Sequence, residues 1–309
     1  MKISVVMATY QGEKYLREQL DTIRLQTRRA DEVILCDDCS GDATVEIAEQ
    51  YIREYGLEAE WRILVNGKNL GYANNFHRAA SLATGEYLFF ADQDDLWKPE
   101  KIEKMVGVME AHPDCMVLCT DYEPFYEEGK VSGAAKKALE RMPDDGSLEK
   151  VELSERSVYI GALGCCMCVR GSFYRGIQDY WFEGWAQDDR MWRLSQCADG
   201  CYLWHSNLVR HRIHDGNTAT YGKYHTVEKR VRLFTAMRDA DAVMQKMLEN
   251  TGKTEKSVIM EKHIRMMEHR IKVLKDKHFA SCIPLLGYLR YYQNVKSYLV
   301  EICIALKSR

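Results

Sequence analysis

No apolar run in the chain reaches the roughly 18 residues that a membrane-crossing helix needs, so no transmembrane span is expected. Basic residues are not in excess either. Lys and Arg total 43 against 46 Asp and Glu, a formal net charge of -3, and this removes the broad positive field expected of a nucleic-acid binder. There is no G-x-x-x-x-G-K-[ST] stretch, which excludes a P-loop enzyme. The 11 cysteines include the tight run "CCMC", Cys165 to Cys168, but no second cluster at zinc-site spacing; these read as small buried hydrophobes. No secretory leader pattern precedes the strand-like "KISVVMATY". The expectation is therefore a cytoplasmic protein with reduced thiols rather than a disulfide framework. Internal repeats and low-complexity segments are also lacking.

What remains is an alternation. "KISVVMA", "DEVILCDD", "EWRILVN" and "EYLFFAD" are short apolar runs of strand type. Between them, "GEKYLREQLDTIRLQ", "DATVEIAEQYIREYG" and "NNFHRAASLAT" space their apolar residues as helices do, and "KPEKIEKMVGVMEAH" follows as a further helix. Strand and helix in turn predict an α/β fold with a mainly parallel, Rossmann-like sheet flanked by helices. From about residue 123 to 157 the chain becomes polar and irregular, either a mobile lid or a surface insertion. "VYIGALGCCMCV" and "CYLWHSNLVRHRIH" read as strands and "DDRMWRLSQCADG" as a helix. After about residue 220 the pattern is helical, basic and Met-rich, so residues 1–220 are expected to form the α/β domain and 221–309 a helical C-terminal extension.

In a parallel sheet, ligands bind beyond the carboxyl ends of the strands. Two of the predicted strands end in clusters of acid, "CDDCSGD" and "ADQDD". Asp37 or Asp38 would serve equally well as a helix cap, with Ser40 and Asp42 competing for that role. Asp92, Asp94 and Asp95 are harder to explain structurally, because like charges so close repel unless a cation sits among them. Carboxylate oxygens suit Mg2+ or Mn2+, and open positions on such an ion suit phosphate oxygens, so the inferred ligand is a metal-bound diphosphate.

At this point the residues carry a resemblance. "VVMATYQGEKYLREQLDTIRLQT", "ILCDDCSGDAT", "NLGYANNF", "GEYLFFADQDDLW", "AQDDRMW" and "RIHDGN" occur in the order seen in family 2 glycosyltransferases of the GT-A fold, across roughly residues 1 to 220. The "DQDD-W" and "NxGxxxNF" forms look most like the rhamnosyltransferase branch that builds bacterial surface polysaccharides. The resemblance implies that Ala8, Thr9 and Tyr10 pack on the nucleotide base and that Asp38 hydrogen-bonds a pyrimidine N–H. It places Asn69, Gly71 and Asn75 near the nucleotide and sugar. Asp92 would face the ribose, and Asp94 and Asp95, joined by His214, the metal. Arg212 would meet the diphosphate, and Asn217 would hold the loop. His211 stands where the family has tyrosine. Asp188 and Asp189 match the family's acidic pair beneath the acceptor, with Asp189 expected to be the base; a different first acid leaves that register open by one residue. Trp185 and Trp192 either flank an acceptor sugar or pack in the core.

The implied reaction is inverting transfer of a sugar such as L-rhamnose from a dTDP- or UDP-linked donor to a saccharide or lipid-linked acceptor. Three other readings compete. A sugar nucleotidyltransferase normally carries a Gly-rich, basic loop after its first strand, and "ATYQGEKYL" is not one. A phosphatase of the DxD type wants Thr or Val where Leu96 stands. A non-catalytic nucleotide-sugar binder would have no need of Asp188 and Asp189. The C-terminal helices read either as a cap or subunit contact, or as a peripheral surface on the inner leaflet.

Overall fold

The computed structural model describes residues 1–126, 143–214, 226–276 and 279–307. It divides into two compact units: Met1–Val151 with Ala162–Asn217, and Glu152–Gly161 with Thr218–Arg309.

The first unit is built on a mixed sheet. Strands β1 (Ile3–Thr9), β2 (Glu32–Asp37), β3 (Trp61–Val65) and β4 (Tyr87–Ala91) are all parallel, in the order β3-β2-β1-β4. β1, β2 and β4 are buried almost throughout, because helices cover both faces and each continuous apolar strand can lose its water on both sides. The connecting helices are α1 (Leu16–Arg24), α2 (Thr44–Glu54) and α3 (Tyr72–Ser81). Each presents one apolar row to the sheet, such as Leu16, Leu20 and Ile23 in α1.

Beyond β4 the sheet departs from the parallel expectation. β5 (Leu96–Trp97), α4 (Lys101–Ala111), β6 (Val117–Tyr126) and β7 (Leu148–Lys150) come next. They are followed by β8 (Met167–Arg170), α5 (Gly171–Gly176), α6 (Gln187–Cys197) and β9 (Cys201–Ile213). β8 lies antiparallel between β4 and β6, β9 runs parallel to β6, and β5 and β7 pair antiparallel with β9. "VYIGALGCCMCV" is strand only from Met167; Gly164–Cys166 forms a 3-10 turn instead. Gly164 sits so close to α6 that a Cβ there would lie 2.8 Å from Nε2 of Gln187, so the backbone turns in to pack on the helix rather than running on as a strand. The polar excursion is not wholly irregular, since β6 and β7 take part of it into the sheet and Glu152–Gly161 belongs to the second unit. The suggested lid at its centre lies outside the described residues. All 11 cysteines are free thiols, and Cys165, Cys166 and Cys168 are buried as expected.

The second unit is helical: α7 (Val227–Asn250), α8 (Thr254–Asp276), a 3-10 helix (Phe279–Tyr291) and α9 (Val295–Lys307). The methionines that mark its sequence turn inward, with Met244, Met260, Met266 and Met267 fully buried. A buried ion pair ties its ends together. Arg270 donates from Nε and Nη2 to Oε1 of Glu301 at 2.9 and 2.6 Å, and the Tyr292 hydroxyl donates to the other oxygen at 2.9 Å. Removing one partner strands the other charge out of water. Glu301→Ala is therefore expected to destabilise this unit by about 3–5 kcal/mol, read in urea unfolding, with Glu301→Gln falling between it and wild type.

Candidate active site

The carboxyl ends of β1, β2 and β4 lie side by side, with Thr9 opposite Asp37 and Met7 opposite Ala91. The Thr9 hydroxyl donates to Asp37 at 2.9 Å. Gln93 clamps the loop after β1: its carboxamide accepts from the Tyr10 N–H and donates to the Tyr10 carbonyl, both at 2.9 Å. Ala8 and Thr9 are thereby set into the floor, and the Tyr10 ring is left half exposed. An exposed ring at a strand end is what stacking on a base requires.

Neither Asp37 nor Asp38 caps α2; the N–H of its first residue, Thr44, donates instead to Oδ1 of Asp42 at 3.1 Å. Asp37 holds Ser40 through its N–H and hydroxyl at 2.8 and 2.6 Å. Asp38 is buried and already occupied. Its Oδ1 accepts from Asn66 Nδ2 and the Leu70 N–H, both at 2.7 Å, and its Oδ2 accepts from the Gly71 N–H at 2.8 Å. Asn75, also buried, donates to the Cys36 carbonyl at 2.7 Å and accepts from Asn66 at 2.9 Å. Asn69 accepts from the Gly71 N–H at 3.0 Å. Gly71 has φ +80, where a side chain would be strained. Asp38, Asn69, Gly71 and Asn75 are thus brought together, and their hydrogen bonds fasten the 66–75 segment to the end of β2. Asn66 completes that network and carried no signal in the sequence reading.

Asp92, Asp94 and Asp95 leave β4 in a tight turn. Asp95 is fully buried: Oδ1 accepts from His211 Nδ1 at 2.8 Å and from the Arg212 N–H at 3.0 Å, while Oδ2 has no partner among the described residues. Asp94 pairs with His214 Nε2 at 2.8 Å. Burial and the neighbouring Asp95 and Asp94 charges push the Asp92 carboxyl up to about 8. Burial and Asp95 raise Asp94 as well, opposed by the His214 bond. Burial disfavours a charged His211, yet its bond to Asp95 and the charge of Asp92 outweigh that and lift it to about 9. Arg212 spends its guanidinium on the protein. Nε donates to the Asp94 carbonyl at 2.8 Å, Nη2 to Glu18 at 2.5 Å, and the plane lies between the Tyr15 and Phe125 rings. It braces the end of β9 against the acidic turn. Asn217 lies outside the described residues.

The donor set fits a hard divalent ion. Asp94 is paired with an imidazole, one oxygen of Asp95 is buried without a partner among the described residues, and burial together with the neighbouring carboxylates drives Asp92 towards its neutral form. Ligand atoms of Asp95, Cys165 and His211 also lie within 4.8 Å of one another. That trio suits a metal less well, because the Cys165 thiol is raised well above its ordinary range by its bond to Cys166 and by burial, and His211 is already held by Asp95.

The two acids of α6 differ sharply. Asp189 Oδ2 accepts from Trp185 Nε1 and from Arg193 Nε, both at 2.8 Å, and the Arg193 side chain is buried. Asp188 has no cation beside it among the described residues. One oxygen accepts from the Asp189 N–H at 2.8 Å, and burial raises the carboxyl to about 6, with Asp189's charge adding to the rise. Its charge adds a small part of the rise at Asp92, so it lies within electrostatic reach of the strand-end acids. Trp185 and Trp192 are buried, so both pack in the core.

The sequence profile of glycosyl transferase family 2 matches residues 4–174, more than half of the chain. The chain belongs to glycosyl transferase family 2. It resembles EpsE of Bacillus subtilis, which is named as a putative glycosyltransferase, with 34% identity over 58% of this chain and 60% of EpsE. The match thus spans less than two thirds of that relative's length. Two solved structures share its fold. TarS residues 1–349 from S. aureus, in complex with UDP, superposes with TM-score 0.62 at 17% identity, over 100% of this chain and 92% of that one. The mannosyltransferase PcManGT from Pyrobaculum calidifontis, with GDP-Man and Mn2+, gives 0.52 at 13% identity, over 98% and 84%. At such identities the likeness is one of fold, the GT-A fold.

Proposed function

We propose that this glycosyltransferase moves a sugar, with inversion, from a UDP- or dTDP-linked donor to a hydroxyl of a saccharide or lipid-linked acceptor in surface-polysaccharide synthesis. The observation that carries the reading is the Asp188 carboxylate, free of a cation among the described residues, raised to about 6 by burial and within electrostatic reach of Asp92. Asp188 takes the proton of the acceptor hydroxyl, the oxygen forms its bond to the anomeric carbon, and the bond to the nucleoside diphosphate breaks on the opposite face. Asp189 acts indirectly: its N–H fixes the Asp188 carboxylate, and its own carboxylate is held by Arg193 and Trp185. Asp92, Asp94 and His214 would hold Mg2+ or Mn2+, with Asp95 behind them. When bound, such an ion offsets the charge of the departing diphosphate. The exposed Tyr10 ring stacks on the base, and the Asp38 network shapes the wall beside it. UDP stands first among donors because it is bound in the TarS structure; the rhamnosyltransferase-like motif forms support dTDP-L-rhamnose as the second donor to test.

The test is release of nucleoside diphosphate from a panel of UDP-, dTDP- and GDP-sugars with Mn2+. One donor is expected to turn over, and EDTA to stop it. Turnover of none, in the presence of saccharide acceptors, would count against the assignment.

A further inference from the structure

The second unit carries an apolar surface that its own core does not use. In a 3-10 helix every third residue falls on one row. Along Phe279–Tyr291, the row Cys282, Leu285 and Tyr291 is buried in the core of the unit. The next row is Ala280, Ile283, Leu286 and Leu289, apolar at every position; Leu289 packs against the core, while Ile283 and Leu286 are more than half exposed. Phe279 stands open at its start, and Leu299 and Val300 are exposed on α9. A solvated surface would carry polar residues in such a row.

Cations outnumber acids among the exposed residues of this stretch. Lys272, Lys275, Arg290 and Lys296 are exposed, against Asp276 alone among the exposed described residues from 272 to 300. Glu301 is fully buried and spent on Arg270, and Arg290 keeps a single exposed contact with Glu155 at 3.4 Å. No helix among the described residues is long and apolar enough to cross a membrane. Apolar side chains exposed in a row and flanked by cations fit a surface that is apolar within and anionic at its face.

We propose that the segment 279–300 docks on an anionic lipid bilayer, with Phe279, Ile283 and Leu286 entering the acyl boundary and Lys272, Lys275 and Lys296 meeting the headgroups. This does not depend on the donor or on the catalytic residues. The test is co-sedimentation of the full chain with vesicles of phosphatidylcholine alone or with about one third phosphatidylglycerol, at low and high salt. Binding to the anionic vesicles is expected, weakened by salt, and at least about tenfold weaker in the Ile283→Asn, Leu286→Asn double variant. Lys296→Glu, an exposed charge reversal that leaves the core alone, is expected to weaken binding while melting as wild type does. Failure of the wild-type chain to bind, or binding unchanged in both variants, would overturn the proposal. So would a concentration-dependent dimer, abolished by the double variant, in a chain that ignores vesicles; that result would give the face to a second copy.

Discussion

Asp188→Asn is expected to lower kcat by about 10²–10⁴-fold and to leave the protein more stable than wild type at pH 7.5. The two effects have one origin. Enclosure raises the carboxyl from its ordinary 3.8 to about 6, so losing the proton costs the folded state more than the unfolded one. That penalty is absent below about pH 4 and complete above about pH 6. About two pKa units correspond to just under 3 kcal/mol at most, and roughly 1–2 kcal/mol after allowing for the partial exposure of the group. Asparagine keeps the shape and removes the penalty, so the melting temperature should rise by a few degrees at pH 7.5 and hardly change at pH 4. The same titration sets the rate: kcat/KM should be flat above about pH 7 and fall as pH drops through 6, where the base gains its proton. Asp189→Asn should do the opposite, losing stability because it removes the carboxylate charge paired with the buried Arg193. A variant at Asp188 that lowered stability and left the pH profile intact would return the residue to a structural role.

Asp94→Ala is expected to cost at least about 10²–10³-fold in kcat, on the scale of removing one group that offsets charge developing on the leaving side of a reaction. It also removes the carboxylate that pairs with His214 Nε2 at 2.8 Å. Asp95→Asn should behave differently. Asp95 is fully buried and holds His211 and the Arg212 backbone, so its loss is expected to appear first as lowered melting temperature. Steady-state kinetics and thermal melts on both variants check the contrast. Equal losses of activity and stability in the two would place both residues in the scaffold.

The parallel half of the sheet was legible because β1, β2 and β4 are apolar on both faces and few other structures bury such runs. The strand-end acids were legible for the converse reason, since three carboxylates in four positions have no comfortable structural explanation. The antiparallel half was not, because β8 pairs with β4 and β6 through contacts set by tertiary packing, and its preceding glycine turn looks like strand in composition. Motif position points to Asp189 as the base and leaves the register open by one residue. Yet Asp189 and Arg193 stand four apart on a helix, as do Trp185 and Asp189, and that spacing already suggested an occupied carboxylate. His211 gave no such sign: its partner Asp95 is 116 residues away, and only the pairing of β9 with β5 brings them together.

The central claim is that the acids after β4 hold a divalent ion and, through it, a nucleoside diphosphate. It is tested most directly by calorimetric titration of the wild-type chain with UDP, dTDP and GDP, each with and without Mn2+. Binding of UDP or dTDP that requires Mn2+, and that disappears in Asp94→Ala, is the predicted result. Nucleotide binding indifferent to metal, or none to any of the three, would contradict it and remove the acids from the active site.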